Sequence, residues 1–289
     1  MLTLVRQWSA EGRAFVRWSA ASQAVLRRLK WDLGQQLKGV LSPRCAHVRG
    51  CGGVKGAVRH IDRRLGLYPF VARFDIRSYY ENMDHAVLLR QLRDAGVGLA
   101  AQAAVREYLA KPDLHATGKG MAAGGAISPL LGAVYLTPLD RVMQLLELRL
   151  GIFYQRFMDD WVILAPSRHK LREALRVMYD VLKQLQLEVH PNKRFIGRTT
   201  RGFDFLGYRL HPGRKLRPSQ QSLDRMIARA RQLHEQGASH RRLREYVQRW
   251  FSWLHGGLRG RVSRQGRFRQ IWIRVLTRLR CLFAHSPHP

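Results

Sequence analysis

The stretch FYQRFMDDWVILAPS, residues 153–167, places two adjacent acidic residues between apolar segments. Short apolar runs that meet at a polar pair predict two strands joined at Asp159 and Asp160. Neighbouring carboxylates repel each other and resist desolvation, so the pair is costly in an apolar setting. An ordinary hairpin turn also explains the pair, because Asp side chains often cap turn backbone. The pair alone leaves a functional and a structural interpretation open.

A third carboxylate, Asp75, ends another apolar segment, YPFVARFDI at residues 68–76. If the strand ends converge in one sheet, the three carboxylates surround one or two divalent cations. Hard oxygen ligands suit Mg²⁺, and Mn²⁺ can take its place. A pair of such ions activates an attacking oxygen and stabilises a leaving one. The acidic residues therefore predict a two-metal site.

The charge of the chain indicates a polyanionic partner. The 289 residues include 51 Lys and Arg against 20 Asp and Glu, for a formal net charge of +31. Such an excess favours nucleic acid or an anionic membrane surface as partner. Residues 120–139 carry no charge, but their Gly and Pro residues fit a loop and a short buried helix better than a bilayer span. We therefore expect nucleic acid and no membrane.

Three cysteines are too few for a disulfide framework and suit a reducing compartment. We therefore expect a cytoplasmic protein associated with nucleic acid. Cys45, His47 and Cys51 suggest a zinc site as an alternative interpretation of the segment that contains them. No fourth ligand at a familiar spacing supports that site.

The predicted elements alternate between helices and strands. A basic, glycine-rich loop at residues 42–56 separates an N-terminal helix, predicted across residues 1–40, from the strand that ends at Asp75. Further elements are predicted as helices from Asp84 to Leu109, a long helix opened by Pro129, and helices after Pro218. This order predicts an α+β fold with an antiparallel sheet in the middle.

Four segments resemble the reverse-transcriptase domain of bacterial group II intron-encoded proteins and their free-standing relatives. They are FVARFDIRSYYENMDHAVLLRQL at motif A, GMAAGGAISPLLGAVYLTPLD at motif B, FYQRFMDDWVILAPS at motif C, and LQLEVHPNKRFIGRTTRGFDFLGYRL at motif D and the primer grip. The resemblance spans about residues 42–211 in the family's order. It implies a right-hand polymerase with partial fingers at 1–70, a palm at 71–212 with fingers-side helices at about 86–120, and a helical basic thumb at 213–289.

The resemblance also implies roles for single residues. Asp75 and Asp159 would chelate both Mg²⁺ ions with help from the backbone carbonyl of Ile76, and Asp160 would support the site as a less direct ligand. Lys193 would be a general acid for the departing pyrophosphate, although a solvated surface lysine explains it as well. Tyr80 would discriminate against a 2′-OH, and its alternative is an ordinary buried tyrosine.

The other implied site residues belong to motif B and the primer grip. They are Ala123, Gly124, Ser128 and Pro129 beside the nascent base pair, and Phe205, Leu206 and Gly207 at the turn that holds the primer end. The family usually has glutamine at Ala123 and tyrosine at Phe157. The segment before the glycine-rich loop is also shorter than the family's fingers.

The predicted function is RNA-directed DNA polymerisation, a nucleotidyl transfer from dNTPs to a primer 3′-OH. Its partners would be an RNA template and a DNA primer, or an RNA–DNA heteroduplex. The alternative is a non-catalytic, maturase-like RNA-binding protein of a group II-like retroelement. The three carboxylates favour the enzyme, whereas Ala123 and the partial fingers favour the alternative.

Overall fold

The computed structural model describes residues 1–10, 13–113, 115–263 and 267–283. The chain divides into two compact units. The first comprises Met1–Ala57 and Phe70–Ile196, and the second comprises Val58–Pro69 and Gly197–Pro289. The division into fingers, palm and thumb stays a prediction.

The first unit surrounds a four-stranded sheet with helices and also contains an N-terminal hairpin. The elements that begin in it are β1 (Leu4–Ala10), β2 (Arg13–Trp18), α1 (Ala20–Gln36), α2 (Gly53–Arg64), β3 (Phe70–Asp75), α3 (His85–Asp94), α4 (Leu99–Ala110), α5 (Ser128–Tyr135), α6 (Thr137–Leu150), β4 (Phe153–Phe157), β5 (Asp160–Ala165), α7 (Arg168–Gln184) and β6 (Phe195–Arg198). The sheet has the order β4-β5-β3-β6, and β5 is antiparallel to both β4 and β3. This arrangement confirms the predicted α+β fold with an antiparallel sheet.

The central strand β5 is apolar on both faces. Its residues from Trp161 to Ala165 are all fully buried, because α7 packs against β3 and β5 while α6 packs against β4. A strand covered in this way reads as a continuous apolar run instead of alternating with polar residues. The only charged residue of β5 is its first, Asp160, which lies at the rim of the sheet.

The N-terminal residues form a hairpin, so the helix predicted across residues 1–40 is wrong in its first half. β1 and β2 pair antiparallel, and α1 begins only after Ser19, whose side chain accepts from the N–H of Ser22. Trp8 and Phe15 face each other across the hairpin with ring centroids 5.7 Å apart. Cross-strand aromatic pairs stabilise hairpins. The few apolar residues of this short segment fit the periodicity of a helix as well as that of a strand, which explains why a helix was predicted there.

Two predicted helices are each divided in two. The first becomes α3 and α4 around Gly96, whose φ of 74° lies in the left-handed region that ends helices. Its predicted cap is confirmed, because the Asp84 side chain accepts from the N–H of Val87 at 2.9 Å. The second opens at Pro129 as predicted but becomes α5 and α6, since Pro138 has no N–H to continue the helical ladder.

The second unit joins a small sheet to helices. The elements that begin in it are β7 (Phe203–Phe205), β8 (Tyr208–Leu210), β9 (Arg217–Pro218), α8 (Gln220–Glu235), α9 (His240–His255) and α10 (Phe268–Phe283). The strands form an antiparallel sheet in the order β7-β8-β9. Arginines crowd the exposed faces of α8 and α9. In the part of the chain that the structure describes, no helix is long and apolar enough to cross a bilayer.

A buried ion pair joins β4 to α6. The side chains of Arg156 and Asp140 are 0% and 1% exposed. The guanidinium binds the carboxylate through Nε at 2.8 Å and through a second bond from Nη2. The Tyr154 hydroxyl also donates to Asp140, at 2.9 Å. Such a pair adds little net stability compared with apolar residues, but removing one partner leaves a buried charge without compensation.

The substitution Asp140→Asn therefore destabilises the protein strongly. We expect the free energy of unfolding to fall by about 3–5 kcal/mol, because the guanidinium of Arg156 stays buried without its counterion. Urea denaturation measures the change. The matched control is Asp32→Asn, which breaks the solvent-exposed pair with Arg28 and should cost less than about 1 kcal/mol. Equal losses in the two variants would contradict the prediction.

Candidate active site

Strand pairing brings the three predicted carboxylates to one edge of the sheet. Asp75 ends β3 directly opposite Asp160, the first residue of β5. Asp159 lies in the two-residue turn between β4 and β5, because Phe157 pairs with Asp160 across it. The N–H of Ile76 donates to the carbonyl of Asp159 at 3.1 Å, which ties the turn to the end of β3. The predicted convergence of these acidic residues is therefore present in the fold.

Two cations of the chain lie against these carboxylates. Arg73 donates through Nε and Nη2 to the two carboxylate oxygens of Asp160, at 3.0 and 2.9 Å. Lys193, in a short 3₁₀ helix before β6, places its Nζ 3.1 Å from Oδ1 of Asp75. Its backbone carbonyl also accepts from Arg73 at 3.1 Å. The structure thus brings Lys193 to the carboxylates, and its role as a general acid stays a prediction.

The carboxylates influence one another electrostatically. Burial raises the pKa of the Asp160 carboxyl to about 7, although the hydrogen bonds and charge of Arg73 oppose this rise. The negative charges of Asp75 and Asp159 raise the same pKa further. This edge of the sheet therefore favours an added cation.

The donor set fits a hard divalent ion. Within the described residues, no three His, Cys, Asp or Glu side chains are gathered closely enough to form a metal site on their own. Mg²⁺ needs fewer protein ligands, since it keeps several waters and shares its shell with substrate phosphates. Both oxygens of Asp160 bind Arg73, so Asp75 and Asp159 are the better candidates to hold an ion. The same finding gives the zinc alternative at Cys45, His47 and Cys51 no support.

The turn that carries Asp159 has a strained backbone. Met158 has a φ of 58°, in the left-handed region that a side chain makes costly. Its N–H donates to Nδ1 of His47 at 2.9 Å, and its carbonyl accepts from Nη1 of Arg156 at 2.8 Å. Sequence reasoning did not find His47 in this role, because the two residues are 111 positions apart. The only local signal was the basic, glycine-rich loop around it.

His47 is a neutral imidazole that bridges two segments. Burial lowers the pKa of His47 to about 4, and the charge of Arg156 lowers it further, whereas a hydrogen bond with Pro129 opposes the shift. Nδ1 accepts from Met158, so Nε2 carries the proton and donates to the carbonyl of Pro129 at 3.1 Å. The Sγ atom of Cys45 lies 3.3 Å from Nδ1 as well.

The motif B loop is anchored by buried polar contacts. The hydroxyl of Ser128 is 2.8 Å from that of Tyr108 and donates to the carbonyl of Ala122 at 3.0 Å. A Cβ on Gly125 would lie 1.6 Å from the Tyr108 hydroxyl, so only glycine fits there. Ser128 therefore holds the loop from inside. Of the predicted site residues in the loop, Ala123 is half-buried and Gly124 is exposed.

Tyr80 lies beside this loop. Its carbonyl accepts from the N–H of Met121 at 2.8 Å, and its ring stacks on Tyr79 with centroids 5.6 Å apart. A Cβ on Gly132 would lie 3.3 Å from both tyrosine rings, so the motif B helix α5 approaches them closely. Tyr80 is half-buried and packs against the hydrophobic core, and its role as a gate stays a prediction.

The three predicted primer-grip residues belong to the second unit. Leu206 and Gly207 form the turn between β7 and β8, with φ values of 48° and 85°. Two positive φ angles in a two-residue turn match the natural twist of a hairpin. Phe205 is buried beneath the turn, and the carbonyl of Gly207 accepts from the N–H of Ser219 at 2.9 Å. The hairpin exists, and its contact with a primer stays a prediction.

The buried state of His47 makes a testable prediction about pH. Its folded pKa of about 4 lies below the ordinary value of 6.5. The stability it contributes is therefore complete above pH 6.5 and is lost as the pH falls towards 4. His47→Asn lacks this titration. From pH 7 to 4.5, the difference in unfolding free energy between wild type and His47→Asn should shrink by about 2 kcal/mol in urea denaturation. A difference that stays constant with pH would contradict the buried, neutral ring.

Solved telomerase structures share this fold. Apo telomerase from Candida tropicalis matches with a TM-score of 0.57 and 10% identity, over 98% of this chain and 60% of its own. Telomerase from Candida albicans, in complex with a TWJ fragment of telomeric RNA, matches with a TM-score of 0.54 and 10% identity over 92% of this chain. This chain spans only 48% of the Candida albicans chain. At such identity the likeness concerns the fold alone.

A protein-family model that matches the sequence shows which family the chain belongs to. A comparison with curated protein sequences gives no match. The model described as reverse transcriptase (RNA-dependent DNA polymerase) matches residues 17–210, which include all three carboxylates and the primer-grip hairpin. That range covers well over half of the chain. The protein therefore belongs to the reverse transcriptase (RNA-dependent DNA polymerase) family.

Proposed function

We propose that this protein is an RNA-directed DNA polymerase of the group II intron-like kind, which adds dNTPs to a primer 3′-OH. The observation that carries the proposal is the convergence of Asp75, Asp159 and Asp160 at one edge of the sheet. A protein that only binds nucleic acid has no use for clustered negative charge facing phosphates. A nucleotidyltransferase needs it, because the divalent cations that such carboxylates hold would neutralise charge on the transferred phosphoryl group.

Each residue of the site has a distinct part in the proposed reaction. Asp75 and Asp159 would hold Mg²⁺, with the Ile76 carbonyl as a further ligand, while Arg73 fixes the orientation of Asp160. When bound, the ions supply activation of the primer 3′-oxygen and stabilisation of the leaving oxygen. The ammonium of Lys193 lies beside Asp75 and can give a proton to the departing pyrophosphate. Catalysis would otherwise rest on positioning.

The charge of the chain supports a nucleic-acid template and primer. Its formal net charge of +31 suits the backbone of an RNA–DNA heteroduplex. The fold is shared with a telomerase that is described as bound to telomeric RNA. The four ordered motifs support the group II-like assignment. Because this charge would bind the phosphate backbone, the affinity for nucleic acid should weaken steeply as the salt concentration rises.

A second candidate function has its own support. Ala123 stands where the group II-like pattern has a nucleotide-contacting glutamine, and Lys193 and Arg73 already neutralise two of the carboxylates. Both features suit a maturase-like protein that binds RNA without polymerising DNA. The proposed enzyme differs from it in one measurable property, which is extension of a primer.

Primer extension on an RNA template with Mg²⁺ and dNTPs tests the proposal. We expect extension by the wild-type protein and a loss of at least about 100-fold with Asp159→Asn, because the carboxylate that holds the ions loses its charge. The matched control is Asp180→Asn, an exposed position on α7, which should leave extension unchanged. A fluorescent RNA–DNA duplex measures binding by each variant in parallel.

The outcomes separate the two candidates. Tight RNA binding without extension by the wild-type protein would reject the polymerase and favour the maturase-like function. Extension that survives Asp159→Asn would reject the proposed metal site while leaving the activity itself in place.

Tyr80 gives a further prediction about sugar selectivity. We expect Tyr80→Ala to raise the use of ribonucleotides relative to dNTPs by about tenfold, because the ring no longer fills the space of a 2′-OH. Tyr80→Phe keeps the ring and should keep the selectivity. Single-nucleotide extension with each dNTP and its ribonucleotide measures the ratio. If the two variants discriminate equally well, Tyr80 is not the gate.

A further inference from the structure

Two side chains from residues outside the Met158–Asp159 turn hold its backbone by hydrogen bonds. His47 binds the N–H of Met158, and Arg156 binds its carbonyl. These atoms belong to the two peptide groups that flank the Cα atom of Met158, a residue whose strained φ is 58°. Each side chain therefore fixes one peptide plane. Because Asp159 follows directly, the orientation of both planes sets the direction of its carboxylate.

The position of His47 is itself fixed by backbone pairing. The residues before it run beside β4, where the N–H of Arg156 donates to the carbonyl of Arg44 at 2.9 Å and the N–H of Ala46 donates to the carbonyl of Arg156 at 2.8 Å. Cys45 and Ala46 are fully buried. The imidazole thus projects from a segment that is attached to the same strand whose turn it supports.

The second nitrogen of His47 connects the turn to motif B. Nε2 lies 3.1 Å from the carbonyl of Pro129, in the first turn of α5. The ring also meets Phe157 edge-on, with centroids 5.7 Å apart. One imidazole therefore spans the carboxylate turn and the start of the helix that approaches Tyr79 and Tyr80.

We infer that His47 is a positioning residue for nucleotidyl transfer, which aligns the Asp159 carboxylate with the motif B helix by accepting from Met158 and donating to Pro129. The inference rests on the proposed function. His47 does not touch the reacting atoms, and it acts through the backbone of the turn. Without the acceptor at Nδ1, the peptide before Met158 can rotate and relieve its strain, and Asp159 moves with it.

Two substitutions separate the two hydrogen bonds of the ring. Asparagine places its carbonyl oxygen near the position of Nδ1 and keeps an acceptor for Met158, whereas glutamine places its amide near Nε2 and keeps only the link to Pro129. We expect His47→Gln to lower kcat on the order of 30-fold, since a small misplacement of a catalytic group is costly. His47→Asn should retain most of the wild-type kcat. The dNTP KM and RNA affinity should stay near wild type in both.

A second measurement does not depend on activity. Hydrogen exchange at the Met158 amide should stay slow in wild type and His47→Asn and become fast in His47→Gln. His169→Ala, which removes an exposed histidine on α7, is the control and should change neither exchange nor kcat. A wild-type protein that does not extend primers would reject the proposed function, yet the exchange pattern would still test the contact.

Three results would overturn the inference. Equal losses of kcat in the Asn and Gln variants would show that the acceptor at Nδ1 has no special part. Wild-type kcat in His47→Gln would show that the turn does not need it. A His47→Gln protein that fails to fold, as judged by circular dichroism, would assign the ring to the fold instead of to the reaction.

Discussion

The buried ion pair between Arg156 and Asp140 is the interaction on which the carboxylate-bearing edge of the sheet depends. A guanidinium that is removed from water must satisfy its donors inside the protein. Arg156 does so by binding Asp140 on α6 and the carbonyl of Met158 in the turn, with a longer contact of 3.4 Å to the carbonyl of Ala133 on α5. One buried charge thereby fixes two helices and the carboxylate turn relative to β4.

The carboxylates at the ends of β3 and β5 are also partly compensated by cations of the chain. Three acidic side chains meet where β3 and β5 end, and the chain places Arg73 and Lys193 against two of them. Burial is the main cause of the raised pKa of Asp160, and the negative charges of Asp75 and Asp159 add to the rise. The edge is therefore stable as a folded structure while it still favours a further cation. The proposed two-metal site would need both properties.

The sequence predicted those parts of the site that depend on local pattern. Asp75 and Asp159 each follow an apolar run, and strand pairing was enough to infer that they meet. The N-terminal hairpin was missed, because its few apolar residues fit a helix or a strand equally well. His47 was missed for a different reason. Its contact with Met158 joins residues 111 positions apart, and no local periodicity encodes a hydrogen bond over that separation.

The hairpin also bears on the departure at Ala123. Phe15 in β2 forms a parallel bridge with Ala123. A Cβ added to Gly124 would lie 3.9 Å from Cδ1 of the Phe15 ring, which is an ordinary van der Waals contact. The motif B loop is thus supported by backbone pairing and an aromatic ring from the N-terminal hairpin. A long polar side chain at position 123 is not required to keep the loop in shape. The alanine at position 123 therefore leaves the loop's support in place, and Ser128 secures the loop from its buried side.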